Sequence, residues 1–207
     1  FGAMMVETGM ADAMISGMTR NYAKVIRPGL QVIGPESGVK KVCGMYIVQT
    51  LKGPLFFADT TVNENPSAED IVEITLRVTE AISKMKITPR VALLSYSNFG
   101  SAKGQDPEKM AQAAAILQKS HPNLLVDGEL QANFALNNDM LKENFPFSKL
   151  VGHQVNTLIF PNLSAGNIAY KLLQESAGCE VIGPVLLGMN HSYHILQMGC
   201  SVREIVN

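Results

Sequence analysis

The spacing of apolar residues changes period along the chain, and each change marks an element. Apolar positions recur at helical spacing from Phe1 to a stop at Gly9, and Ala11 to Gly17 then reads as a strand with its exit turn. Thr19 to Ile33 returns to a helical pattern that is interrupted at Arg27-Pro28-Gly29. Because the residue before a proline is pushed out of the α region, a kink is expected at Arg27. Two apolar runs, Val42 to Thr50 and Leu55 to Thr60, flank Lys52-Gly53-Pro54 and predict a hairpin. Ser67 to Met85 is amphipathic and opens with Ser67 and Asp70 in a capping-box spacing.

Arg90 to Ser95 predicts a buried strand, followed by the loop Tyr96 to Ser101 and a helix with Asp106 as N-cap and Pro107 at its first position. Leu124 to Val126 predicts a short strand that ends in a turn at Asp127-Gly128-Glu129. Lys142 to Phe147 brings two phenylalanines to a loop as an apolar plug. Thr157 to Phe160 predicts another buried strand, Pro161 and Asn162 a turn, and Ser164 the start of a helix. Glu180 to Gly188 then reads as a strand, Asn190 to Gly199 as an extended segment and Ser201 as a helix start. This alternation predicts a three-layer α/β/α architecture around a mixed, largely parallel sheet. The chain has neither a P-loop lysine motif nor a G-x-G-x-x-G run, so both common nucleotide signatures are missing.

Candidate chemistry gathers where strands end. A strand that delivers a helix N-terminus to a sheet edge aims unpaired N–H groups and the helix dipole at one spot, so the turn Asn162 to Gly166 is a candidate anion site. There Ser164 offers a capping oxygen and Gly166 leaves room for a ligand; an ordinary capped helix start has the same look. Ser95, Ser97 and Ser101, with Gly100 among them, are candidate ligand donors, or hydroxyls that satisfy their own loop. Arg27 reads either as a phosphate clamp or as a guanidinium holding a helix-end carbonyl. Asp127 and Glu129 invite an acid/base or metal reading, but with no third acid or histidine at useful spacing a solvated turn is favoured. His191 and His194 lie in extended-looking sequence on opposite faces, and no metal site is expected.

Composition narrows the partners. The chain has 207 residues, 46% hydrophobic and 17% charged, with a net charge of −1. That balance leaves no electrostatic footprint for nucleic acid or a membrane surface. Three cysteines without C-x-x-C spacing suggest reduced thiols and a cytoplasmic protein. Eleven methionines, five of them in the first 18 residues, suggest adaptable packing or a subunit contact. The chain opens at Phe1 and stops at Asn207 inside helix-like segments, as a piece of a longer polypeptide would.

Several stretches together resemble the phosphate acetyl/butyryltransferase family: Ala11-Asp12-Ala13 to Gly17, Ile26 to Gln31, Leu55 to Asn63, Val91 to Ser97 with Gly100-Ser101, Val126 to Gln131, Asn156 to Gln174 and Gly183 to Gly188. Asn98-Phe99, Glu143 to Ser148 and Ser201 to Asn207 are similar to one branch, the phosphotransacetylase-like domain of large NADP-dependent malic enzymes. The resemblance implies the fold shared by phosphotransacetylases and isocitrate dehydrogenase, with two α/β/α subdomains and a CoA cleft between them. Residues 1–186 would belong to the C-terminal subdomain, and 187–207 would begin a return into the other, whose N-terminal part is absent. It implies acetyl-CoA or a related acyl-CoA and phosphate as ligands, a homodimer or larger homo-oligomer, and Arg27 as a phosphate-contacting residue. NADP and a divalent metal would belong only to the missing N-terminal domain of the parent, which oxidatively decarboxylates malate to pyruvate.

Departures from the family pattern bear on activity. Transferases of the family typically carry Ser-Arg-Gly-Cys where this chain has Gln197-Met198-Gly199-Cys200, and aspartate where it has Glu204. Loss of a charged donor aimed at a developing oxyanion costs roughly two to three orders of magnitude in rate. Glu204 retains a carboxylate that could act as the catalytic base. The expected reading is an acyl-CoA-binding regulatory domain, with an active phosphate acetyltransferase and a dimerisation module with a vestigial cleft as alternatives.

Overall fold

The computed structural model describes residues 1–197 and 199–206, with Glu204 described by its backbone alone. In chain order the elements are α1 Gly2–Glu7, β1 Ala13–Gly17, α2 Tyr22–Val32, β2 Cys43–Thr50, β3 Gly53–Ala58, α3 Ala68–Lys84, β4 Arg90–Leu94 and α4 Gln105–Ser120. They continue with β5 Leu125–Leu130, α5 Ala132–Leu136, α6 Asn138–Asn144, β6 Thr157–Ile159, α7 Leu163–Ala177, β7 Glu180–Leu187, β8 Ser192–Leu196 and α8 Val202–Val206.

Six strands form one sheet in the order β5-β4-β6-β3-β2-β7. Strands β3, β6, β4 and β5 run parallel to one another, whereas β2 is antiparallel to both β3 and β7. The expected mixed, largely parallel sheet is therefore present, with β2 as the reversed strand. Successive side chains of a strand face opposite ways, and β4 shows the consequence. Val91 and Leu93 pack with Ile71, Ile74 and Val78 of α3 and Met110 and Leu117 of α4. Ala92 and Leu94 pack on the other face with Leu141 of α6 and Tyr170 of α7. Helices thus cover both faces, the arrangement that parallel strands require.

A smaller lobe stands beside this body. In it β1 pairs in parallel with β8, from Ala13 opposite Ser192 to Gly17 opposite Leu196. Ala3 and Val6 of α1, Val25 and Ile33 of α2, and Tyr193 and Ile195 of β8 form its core, joined by Val42 and Leu186 of the body.

Four local expectations are corrected. The break at Arg27 is absent, because α2 continues through Pro28, opened by the Asn21 side chain, which accepts from Lys24 N at 3.1 Å. The helix is braced from outside: Tyr193 lays its ring against Gly29, and its hydroxyl donates to the Val25 carbonyl at 2.6 Å. The N-cap of α4 is Gly104, not Asp106, and Pro107 sits within the first turn, where its missing N–H costs no helical bond. Asp127, Gly128 and Glu129 lie inside β5 rather than in a solvated turn, and both carboxylates are buried. The N-cap of α7 is Asn162, with Ser164 exposed in the first turn.

Candidate functional site

In open α/β sheets ligands sit at the carboxyl ends of the strands. Strands β4 and β6 are neighbours, so the loop Ser95 to Ser101 and the turn Pro161-Asn162 adjoin at that edge. A buried polar group needs partners, and three carboxylates, Glu129 and Asp59 buried and Asp106 half-buried, organise this edge by gathering donors.

Glu129 accepts from the Ser97 hydroxyl at 2.9 Å and from Gly100 N at 2.6 Å. Ser97 is fully buried, and its oxygen also accepts from Ala102 N at 2.9 Å. Ser95 Oγ accepts from Ser97 N at 3.2 Å, and Ser101 Oγ from Asn98 N at 2.9 Å. From the next strand exit, Gln131 N donates to Asn98 Oδ1 at 2.8 Å and Gln131 Nε2 to the Tyr96 carbonyl at 2.6 Å. The loop is thus preformed. Of the expected donors, Ser97 is committed internally, while Gly100 and Ser101 are exposed and Ser95 is half-buried.

Asn162 caps α7 by accepting from Ala165 N at 2.9 Å, and its amide donates to Asp106 Oδ2 at 3.0 Å. Asp106 pairs with the buried Lys109 at 3.0 Å, and Lys109 donates to Asn65 Oδ1 at 2.9 Å. An internal carboxylate therefore already sits where the N-termini of α4 and α7 favour negative charge. Gly166 does not leave ligand room. A Cβ there would stand 2.8 Å from the Asp59 carbonyl, so the glycine exists for close packing of α7 on the strand exit.

Asp59 is 2% exposed, and its two oxygens accept from the backbone of Gly44, Thr61, Val62 and Asn63 at 2.8–3.2 Å. Sequence reasoning passed over it, although an aspartate ahead of Thr60-Thr61 at a strand end is a turn-forming signal. It also passed over the role of Glu129 and the tyrosines described next.

Tyr46 of β2 and Tyr170 of α7 stack with ring centroids 4.1 Å apart. Gln197 Nε2 donates to both hydroxyls, at 3.0 Å to Tyr170. These side chains line a cavity of about 230 Å³ together with Gln174, Gly183 and Cys200. Burial pushes the Tyr46 phenol well above its ordinary range, with the neighbouring Tyr170 phenol adding to the effect. Tyr22, at the start of α2, has its phenol raised by burial and then by the Asp59 charge. Its hydroxyl is buried with no hydrogen-bond partner among the described residues.

Arg27 is exposed on α2 and makes no ion pair among the described residues. It stands on the lobe, whereas the serine loop and Asn162 stand on the body. Met198 and the Glu204 side chain lie outside the described residues. Among the described residues no group of three or more His, Cys, Asp or Glu could hold a metal ion, and no helix is long and apolar enough to cross a membrane.

A family model described as phosphate acetyl/butaryl transferase matches residues 1–207. The NADP-dependent malic enzyme of Haemophilus influenzae is 41% identical over 203 residues, covering 98% of this chain and 27% of that protein. The phosphate acetyltransferase of Bacillus subtilis is 37% identical over 207 residues, 100% of this chain and 64% of that enzyme. A phosphotransacetylase structure from Streptococcus pyogenes superimposes with a TM-score of 0.91 at 35% identity, over 99% of this chain and 63% of that one. The chain therefore spans less than two thirds of the length of each of these relatives.

Proposed function

Because the chain belongs to the phosphate acetyl/butaryl transferase family along its whole length, we propose that it is a phosphotransacetylase-like domain that binds acyl-CoA and regulates rather than turns over. Acetyl-CoA would lie between the lobe and the carboxyl edge of the body. Arg27 would meet phosphate oxygens, and Ser95, Gly100, Ser101 and the first turn of α7 with Asn162 and Ser164 would supply polar contacts. A guanidinium with no carboxylate paired to it among the described residues is free to take a phosphate in bidentate fashion. In a parent resembling the malic enzymes, a ligand that binds two arrangements unequally shifts malate decarboxylation; equal binding would shift nothing. NADP and the divalent metal belong to that parent's other domain.

The observation that carries this reading is Gln197. At the position where transferases have the serine of a Ser-Arg pair, this chain has an amide engaged with two tyrosine hydroxyls, and the next residue, Met198, has no charge to stabilise an oxyanion. Residues 187–207 are taken as the start of a return into a second subdomain, which β1 joins through β8. The relatives' additional length would hold the rest. Calorimetry with acetyl-CoA and an assay for acetyl phosphate formation test the proposal together: heat of binding without turnover supports it, and turnover at ordinary enzyme rates overturns it. Active transfer remains the second reading, favoured by the likeness to phosphate acetyltransferases and by the carboxylate kept at Glu204. Homo-oligomer formation through this chain is part of the same proposal, tested by sedimentation.

A further inference from the structure

The lobe joins the body by two crossings, residues 33–42 and 188–191, which lie side by side. Glu36 N donates to the Gly188 carbonyl at 2.9 Å, Asn190 N donates to the Gly34 carbonyl at 3.1 Å, and Pro35 bridges Met189. Two crossings at one place make a hinge, and contacts away from it set the angle of what the hinge carries. Away from it, Val181 and Gly183 of β7 line one cavity with Leu196 and Gln197 at the end of β8. There Gln197 places its amide against the hydroxyls of Tyr46 and Tyr170, whose side chains are 3% and 2% exposed. A hydroxyl both gives and takes hydrogen bonds, so the contact holds whichever way the amide is turned. A second tie, Arg203 to Glu180 through two parallel bonds of 2.7 Å, is made by a guanidinium 76% exposed, where solvent screens the charge.

We propose that Gln197 is a positioning residue: it latches the lobe onto the stacked tyrosines of the body, and the latch sets the affinity of the crevice for acyl-CoA. The latch stands on the contacts above; its link to affinity rests on the function proposed in the preceding section. With the latch made, the lobe that carries Arg27 keeps one angle to the body that carries the serine loop. With it broken, the lobe turns about the hinge and a ligand meets one side at a time.

The test uses this chain with amide hydrogen exchange and calorimetry. Gln197→Ala should speed exchange about tenfold in 192–197 and 13–17, the equivalent of losing one net hydrogen bond, while β4, β5 and β6 keep their wild-type rates. Tyr46→Phe with Tyr170→Phe keeps the ring stack and should give the same pattern. Adding Gln197→Ala to that pair should change nothing more, because interacting residues are non-additive. Unchanged exchange in Gln197→Ala, or equal acceleration over the whole chain, overturns the latch. Acetyl-CoA affinity about tenfold weaker in Gln197→Ala supports the second half; unaltered affinity beside faster lobe exchange overturns it. Absence of binding heat in the wild type would refute the acyl-CoA reading and leave exchange to decide the latch.

Discussion

The Ser97 hydroxyl donates to the Glu129 carboxylate at 2.9 Å, tying the loop after β4 to the neighbouring strand β5. The same carboxylate oxygen takes Gly100 N, so one buried side chain holds both ends of the loop's tip. Glu129→Gln keeps an acceptor oxygen and should stay within about 1 kcal/mol of wild type, whereas Glu129→Ala should lose about 1 to 3 kcal/mol by stranding the donors. Denaturant unfolding of the two variants separates them.

Gly166 is a packing glycine. In Gly166→Ala the new methyl would meet a backbone oxygen at 2.8 Å and Thr60 Cγ2 at 3.1 Å, neither of which can swing aside as a long side chain could. A loss of about 1 to 3 kcal/mol is expected from overpacking. An unfolding midpoint equal to wild type would show that α7 rides further from the sheet than the structure places it.

Arg27 is exposed and unpaired among the described residues, so its removal should not touch the fold. Arg27→Ala is expected to unfold within about 0.5 kcal/mol of wild type. Its acetyl-CoA affinity should fall roughly 10- to 100-fold, the worth of a charge-assisted bond. Calorimetry at two salt concentrations checks the cause, because the wild type should lose affinity with salt more steeply than the variant.

Alkaline pH should loosen the protein through two buried groups. Burial holds the Cys43 thiol well above its ordinary 9.0 and the Tyr22 phenol above its ordinary 10.0, the Asp59 charge adding to both. Both are acids raised in the folded state, so the unfolded chain releases its protons first. Their contribution is whole below about pH 9 and declines as pH rises through the unfolded values. Thermal melting from neutral pH upward should show the fall, and Cys43→Ala should make the first part of it shallower.

Features set by near neighbours were legible in the chain. Ser67 and Asp70 are three residues apart, and the capping box forms both of its bonds, each at 3.1 Å. The order and parallel character of the elements also followed from alternation, since Val91, Ala92, Leu93 and Leu94 can each find a buried face only between helical layers. What escaped depends on remote partners. Asp127 is buried because Ser148 and Lys149, more than 20 residues onward, bring it donors at 2.8 and 2.9 Å. Pro28 fails to end its helix because Tyr193, far along the chain, props the turn that contains Val25. The loop Ser95 to Ser101 and the turn at Asn162 follow strands, as their sequence suggests, but the bonds that commit their side chains are not legible there. A hydroxyl that serves its own loop and one that waits for a ligand look alike in a sequence.

The bond from Tyr193 to Val25 spans 168 residues. Long loops close slowly, and contacts between distant residues delay folding. While the chain is being synthesised, the first helices and β1 must therefore wait, with their apolar faces bare, until β8 has left the ribosome. The six-stranded body can assemble in the meantime. The lobe that carries Arg27 closes its core only after the strands of the body have been made, and it is the part a chaperone would have most reason to hold.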